Sequence, residues 1–311
     1  MAAAGAELLR GPVGPHARAS AGAWAELLRV SALATVPGDA LAGAAALGSR
    51  PNRGTLLALG SSLCLYEAGM ALNDWADRAQ DAVERPHRPL PSGRVRPATA
   101  LAASAALTAA GLALAARAGR PPLAVATALA ATVWSYDLHL KHTPLAPATM
   151  AAARTLDHLL GAQATAARRA DPAGTRPLPR ILAPALLLGA HTYAVTAVSR
   201  HETQGGATAP PAAALAATLA VATAAARPTP AASLLTPTLA LAYARTPAAA
   251  LLHATLNPSP PLTQRAVGGG IRALIPLQAT LAARAGAPGT ALAVLALAPL
   301  ARALARKVSP T

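Results

Sequence analysis

Apolar runs separated by short polar breaks fill nearly the whole chain. Runs near 20 residues, about the length that crosses a bilayer core as helix, recur at 24–47, 54–72, 98–117, 122–138, 144–165, 180–198, 208–226 and 231–252. Two weaker runs follow, at 270–284 and 288–305. Gly, Pro or Arg flanks each run, and these residues end helices or anchor them at a membrane surface. Ala and Leu supply most of the apolar positions and Phe is absent. Ala favours helix and disfavours strand, and the alternating short segments of a membrane barrel are not visible. The pattern predicts an all-α fold, a polytopic transmembrane helical bundle of nine or ten spans. Its transmembrane domain covers 21–306, and residues 1–20, rich in Ala, Gly and Pro, form a flexible N-terminal tail. The tail lacks the continuous apolar core of a cleavable signal peptide.

Composition supports this class. The chain is 53% hydrophobic and 13% charged, where soluble domains carry about 25% charged residues. The net charge of +15 invites a nucleic-acid reading. The arginines, however, are scattered at the ends of apolar runs, as interfacial anchors are. The lipid bilayer is therefore the expected partner, and no nucleic-acid role is expected. Cys64 is the one cysteine, which excludes an internal disulfide and a cysteine metal cluster.

Successive spans alternate direction, so the breaks at 73–97, 139–143 and 199–207 face one compartment. They hold Asn73, Asp74, Asp77, Asp81, Lys141, Arg200, His201 and Glu202. The opposite breaks hold mainly Arg, Pro and Gly, with Asp171 the one acid. Lys and Arg are balanced between the two sides, so the positive-inside rule does not set the orientation.

Four of the 12 acids, Asp74, Asp77, Asp81 and Glu84, fall within one short stretch. Spacings of three and four place Asp74, Asp77 and Asp81 on one face of a helix, at the membrane end of the second run. Like charges there repel, so a positive partner is expected. Oxygen ligands suit Mg²⁺, which commonly joins one or two carboxylates to substrate phosphates. Asn73 adds an amide oxygen. Arg85, Arg88, Arg94 and Arg96 come next, in a stretch whose prolines and Gly93 predict a fixed, non-helical loop. Arginine forks match phosphate oxygens, so acids followed by arginines suggest a magnesium–diphosphate site. The plainer reading is an interfacial helix whose acids pair with those arginines. Arg154 and Asp157 lie inside the fifth run, and charges at that depth usually face an interior cavity or pair with one another. Glu67 extends the acidic stripe one heptad inward, and Asp39, His191, Tyr193 and Gln278 are further polar candidates. Cys64 reads as core packing.

Asn73–Asp81 has the form NDxxDxxxD and Arg85–Gly93 the form RPxRPLxSG. Together they resemble the first aspartate motif and adjoining loop of the UbiA superfamily of intramembrane prenyltransferases. The resemblance implies nine helices around a central cavity, capped by polar loops on the cytoplasmic side. It implies transfer of an isoprenoid chain from an allylic prenyl diphosphate to a lipophilic acceptor, often an aromatic ring or quinone precursor, with Mg²⁺ as cofactor. Asn73, Asp74, Asp77, Asp81 and Glu202 become metal candidates, the four acids also catalytic. Asn73, Arg85, Arg88, Arg200, His201, Arg154 and Asp157 become substrate-binding candidates. Tyr136 and Lys141 are similar to a Tyr-x-x-x-x-Lys element of the diphosphate pocket, and are equally plain interfacial anchors. Where the family has a second motif of two or three acids, this chain offers only Glu202, with His201 and Gln204 beside it. That departure keeps a second reading open, a non-catalytic member that binds or transports a lipid. A divalent-cation transporter is a third, though it predicts acids deep in several spans. The implied location is multi-pass in the plasma membrane, with the site on the cytoplasmic face.

Overall fold

A computed structural model describes residues 21–168 and 178–299. The tail at 1–20, Asp171 and the last residues of the expected domain, 300–306, lie outside the described residues. Every regular element among those described is helical.

The first apolar run is not one helix. It divides into α1 (Ala21–Leu27), a 3₁₀ turn (Val30–Thr35) and α2 (Pro37–Ala46). Arg29 takes left-handed φ 48°, rare outside glycine, and ends α1. Pro37 then opens α2 at a first-turn position, where its missing N–H costs nothing. Broken backbone at membrane depth is tolerated where it is buried in protein or lines a cavity. Here Gln278 Nε2 donates to the Thr35 carbonyl at 2.8 Å.

The remaining elements are α3 (Arg53–Ala76), α4 (Arg78–Glu84), α5 (Pro97–Ala118), α6 (Arg120–Ser135), a π-turn (Tyr136–Leu140), α7 (Ala146–Ala166), α8 (Leu178–Ser199), α9 (Ala209–Ala226), α10 (Leu235–Leu256), α11 (Pro260–Arg284) and α12 (Pro288–Leu295). Length and apolarity together pick out five of the described helices as able to cross a membrane: α3, α5, α8, α9 and α11. The expectation was nine or ten spans. The long α7 and α10 fall short because they carry polar side chains, Arg154, Asp157 and His158 in one and Tyr243, Arg245 and His253 in the other.

Small residues let these helices approach closely, as they do in lipid. Between α3 and α5, Ser61 donates to the Gly111 carbonyl and Ser104 to the Ala68 carbonyl, both at 2.8 Å. Another close crossing is α2 on α7. A Cβ added at Gly161 would stand 2.3 Å from the Ala40 Cα, and one at Gly43 would stand 2.4 Å from the His158 carbonyl oxygen. Glycine on both sides thus sets backbone against backbone. This crossing brings Asp39, in the first turn of α2, to Arg154 and Asp157 on α7.

Candidate active site

The acidic stretch starts at the end of α3, but the helix does not run straight through it. Asp77 sits at the junction of α3 and α4 with φ −84° and ψ 0°, so the three acids do not share one unbroken helical face. They form two groups. Asp74 and Asp81 share Arg88, whose Nη1 lies 3.5 Å from Asp74 and 2.7 Å from Asp81. Arg85 reaches Asp81 at 3.6 Å, and Arg29 reaches Asp74 at 3.2 Å. Asp77 turns the other way and pairs with Lys141 Nζ, with His142 Nε2 at 3.9 Å. Asp74 and Asp81 are 4% and 2% exposed. These side chains are therefore turned into the protein rather than toward bulk solvent.

The loop after α4 is non-helical as expected, turning at Gly93 with φ 74°. Ser92 donates to the Arg88 carbonyl at 2.6 Å and the Val95 amide to the Pro89 carbonyl at 2.9 Å. Arg94 is committed to Glu26 at 2.7 Å and to the His87 carbonyl at 2.5 Å. Leu90 and Val95 of this loop pack with Ala23 and Leu27 of α1, under Trp24 and Trp75. That packing delivers Arg29 to the site.

The Tyr136–Lys141 spacing has a local cause. The Lys141 amide donates to the Tyr136 carbonyl at 3.0 Å, the five-residue bond of a π-turn. In a regular α-helix, residues five apart point well away from one another. Lys141 meets Asp77, while Tyr136 and Asp137 line the cavity beneath. Asp137 accepts from Asn73 Nδ2 at 3.0 Å.

The third polar break closes the group. Glu202, half-buried after α8, lies within electrostatic reach of Arg85, Arg29 and Tyr136, and Arg200 acts on Tyr136 as well. Burial pushes the Glu202 carboxyl above its ordinary value, and Arg85 and Arg29 pull it back. His201 is half-buried and enters none of the ion pairs among the described residues.

Below this mouth is a cavity of about 250 Å³. Arg29, Asn73, Tyr136 and Asp137 line one end of it. Tyr66, Gly69, Met70, Val133 and Met150 form its walls, and Ser62, Leu65, Leu129, Arg154 and Asp157 line the rest. Arg154 and Asp157 therefore face the interior, yet they are not simply paired with each other. Arg154 pairs with Asp39, Ser62 donates to Asp157, and Gln278 Nε2 donates to Asp39 at 3.0 Å. Glu67 does not line the cavity. The cavity face of α3 runs through Ser62, Tyr66, Gly69 and Asn73, about 100° around the helix from the Glu67–Asp74 line. His191 bonds Tyr243 at 2.9 Å and the Gly270 carbonyl at 3.0 Å, away from the mouth. Tyr193 lies in a separate apolar groove between α7, α8 and α9.

Arg29 was not singled out in the sequence. Its partner is 45 positions away, and no local spacing marks it. Asp137 was visible only as a neighbour of Tyr136.

The donor set at the mouth is all oxygen: Asn73, Asp74, Asp77 and Asp81. Among the described residues, no group of three or more His, Cys, Asp and Glu side chains is gathered closely enough to hold an ion. Each carboxylate is drawn instead to a guanidinium or ammonium. A hard cation that keeps its waters and takes one or two carboxylates plus phosphate oxygens fits such a set. A bare-ligand ion such as structural zinc does not.

The fold and site define a helical membrane protein with a polar-mouthed interior cavity. A model of the UbiA prenyltransferase family matches residues 32–256, and the chain belongs to that family. Curated relatives include the digeranylgeranylglyceryl phosphate synthases of Methanopyrus kandleri and Ignicoccus hospitalis. The first is 36% identical over 126 residues, covering 39% of this chain and 45% of the relative. The second is 38% identical over 122 residues, covering 39% and 40%. The matched part thus spans less than half the length of these relatives. Among solved structures, a UbiA homolog from Aeropyrum pernix K1 aligns with TM-score 0.58 at 17% identity, over 80% of this chain and 96% of that one. A UbiA homolog from Archaeoglobus fulgidus bound to DMAPP and Mg²⁺ aligns with TM-score 0.53 at 18% identity, over 81% and 98%. These likenesses show the UbiA fold.

Proposed function

We propose that this chain is a Mg²⁺-dependent intramembrane prenyltransferase, moving an isoprenoid from an allylic prenyl diphosphate to a lipophilic acceptor. One observation carries the reading. Three polar segments far apart in sequence meet over one cavity, and bring acids, arginines and a lysine to its mouth. The family membership and the Archaeoglobus fulgidus homolog bound to DMAPP and Mg²⁺ support it. On this reading the protein lies in the plasma membrane with its mouth toward the cytoplasm.

Asn73, Asp74, Asp77 and Asp81, with Glu202 across the mouth, are the residues that would hold Mg²⁺. The ion supplies Lewis-acid neutralisation of the diphosphate. Arg29, Arg85, Arg88 and Lys141 take the remaining phosphate oxygens through charge-assisted bonds. As the carbon–oxygen bond breaks, diphosphate leaves with the electron pair, and these fixed positive charges stabilise it. Leu65, Met70, Leu129, Val133 and Met150 hold the isoprenoid and keep water from the electron-poor carbon.

Purified protein in nanodiscs is expected to bind geranyl diphosphate only with Mg²⁺. Asp74→Ala and Asp77→Ala should each weaken that binding at least about tenfold, the size of one lost charge-assisted contact. Binding without Mg²⁺, or unchanged in both variants, overturns the reading. The solitary Glu202 at the end of α8 favours one alternative, an isoprenoid-binding member without turnover. Donor bound with no diphosphate released over hours would select it.

A further inference from the structure

The deep end of the cavity is built from charged and hydrogen-bonding groups, which a hydrocarbon tail does not need. Ser62 and Asn73 both line the cavity from α3. Their 11-residue separation is ~16 Å along a helix, so the polar floor lies deep in the membrane. Intramembrane ionisable groups are costly and usually functional. The floor also lies where the first span is broken, and discontinuous helices commonly form substrate sites near the membrane midplane.

The charges there are opposed. Arg154 pairs with Asp39 and also stands in the field of Asp157, which accepts from Ser62. Asp39 is 0% exposed and is held by Gln278. It acts as the backing of the cluster. Ser62, Arg154 and Asp157 are the members that reach the cavity. A second anion there would meet Asp157, and a cation would meet Arg154. A neutral group that both donates and accepts meets neither objection. It can give a hydrogen bond to Asp157 or to the Ser62 oxygen and receive one from Arg154.

We propose that Ser62, Arg154 and Asp157 form an acceptor subsite that takes a neutral, hydroxyl-bearing part of the lipophilic acceptor. The subsite rests on the prenyltransferase reading for its place in the reaction, and its recognition chemistry can be tested alone. The phosphate-binding groups lie at the mouth, so the two ends of the cavity sort an anionic donor head from a neutral acceptor group.

The probes are geraniol and its hydrocarbon counterpart 2,6-dimethyl-2,6-octadiene, bound to the full chain in nanodiscs. Comparing variants with the unaltered protein cancels the partition of each probe into lipid. Asp157→Asn and Ser62→Ala are expected to weaken geraniol about tenfold and a few-fold respectively, in line with one lost hydrogen bond. Hydrocarbon binding should move less than twofold. If Asp157→Asn does not fold, Ser62→Ala carries the test. Equal losses for alcohol and hydrocarbon, or no loss for either, overturn the subsite. Geranyl diphosphate with Mg²⁺ is measured on the same samples. Its failure to bind the unaltered protein would overturn the transferase reading and leave the alcohol result standing.

Discussion

The protein holds two ionic clusters, one at the cavity mouth and one at its floor, and they are built on opposite terms. At the mouth, single cations serve two acids, as Arg88 does for Asp74 and Asp81. The arginines there keep substantial access to water, with the Arg29 side chain 40% exposed. The carboxylates are buried, but the guanidinium side of these pairs is open to water, and a substrate's charges can take the place of either partner. At the floor, Asp39 and Arg154 are enclosed and cross-bonded by Gln278, with Asp157 and Ser62 beside them. Losing one member of such a cluster strands the others in a low dielectric. The mouth is thus suited to release and rebind, and the floor to stay fixed.

The largest expected effect is at the floor. Arg154→Met leaves Asp39 buried without its cation and should cost about 3–5 kcal/mol of stability. Thermal unfolding in nanodiscs reads this, and adding Asp39→Asn should recover much of the loss. A stable Arg154→Met protein would erase the contrast between the clusters. At the mouth, Asp77→Ala should lower diphosphate release by about 10²–10³, the effect of a lost transition-state charge contact. The Lys141 ammonium is buried beside Asp77, so the variant's unfolding temperature should also fall, but by less than that of Arg154→Met, whose partner Asp39 is wholly enclosed. A collapse of stability with activity would show the mouth to be structural.

Smaller effects sharpen the picture. Gly161→Ala places a methyl against the Ala40 backbone and should cost about 1–3 kcal/mol as α2 is pushed off α7. Because that crossing seats Asp39 against Arg154, geraniol binding should fall before diphosphate binding does. The smallest effect concerns Glu202, whose carboxyl is raised in the folded protein by burial. A raised acid favours folding while protonated and loses that contribution as pH rises through its folded value. Glu202→Gln should therefore match the unaltered protein at acidic pH and be slightly more stable at neutral pH, by less than about 1 kcal/mol given its partial exposure. A stability gain that persisted below the carboxylate range would break this assignment.

Much of the mouth was legible because its chemistry is local. Asp74, Asp77, Asp81, Arg85 and Arg88 fall within one short stretch, and the alternation of apolar runs brings the breaks holding Lys141 and Glu202 to the same side. The floor was legible only in pieces. Arg154 and Asp157 stood out as charges inside an apolar run, but their partners, Asp39, Ser62 and Gln278, come from three other helices. Spacing on one helix cannot announce contacts made across several. The break in the first span had a trace, Pro37-Gly38 in the middle of an apolar run, whose length nevertheless favours a continuous helix. Glu67 misled for a related reason. It shares a stripe with Asp74, and the cavity opens on the adjacent stripe.

The π-turn at Tyr136–Leu140 works as a phase adjuster. Its loop carries one residue more than an α-helical turn requires, and the wider bond from the Lys141 amide to the Tyr136 carbonyl absorbs it. Closing the same residues into ordinary helix would turn everything after them by about 100°, and the Lys141 ammonium would leave Asp77. Removing one residue between 137 and 140 would instead restore a regular turn with the lysine four positions from Tyr136, still on its face. The register of this segment is therefore held by the width of one turn rather than by the identity of the residues inside it.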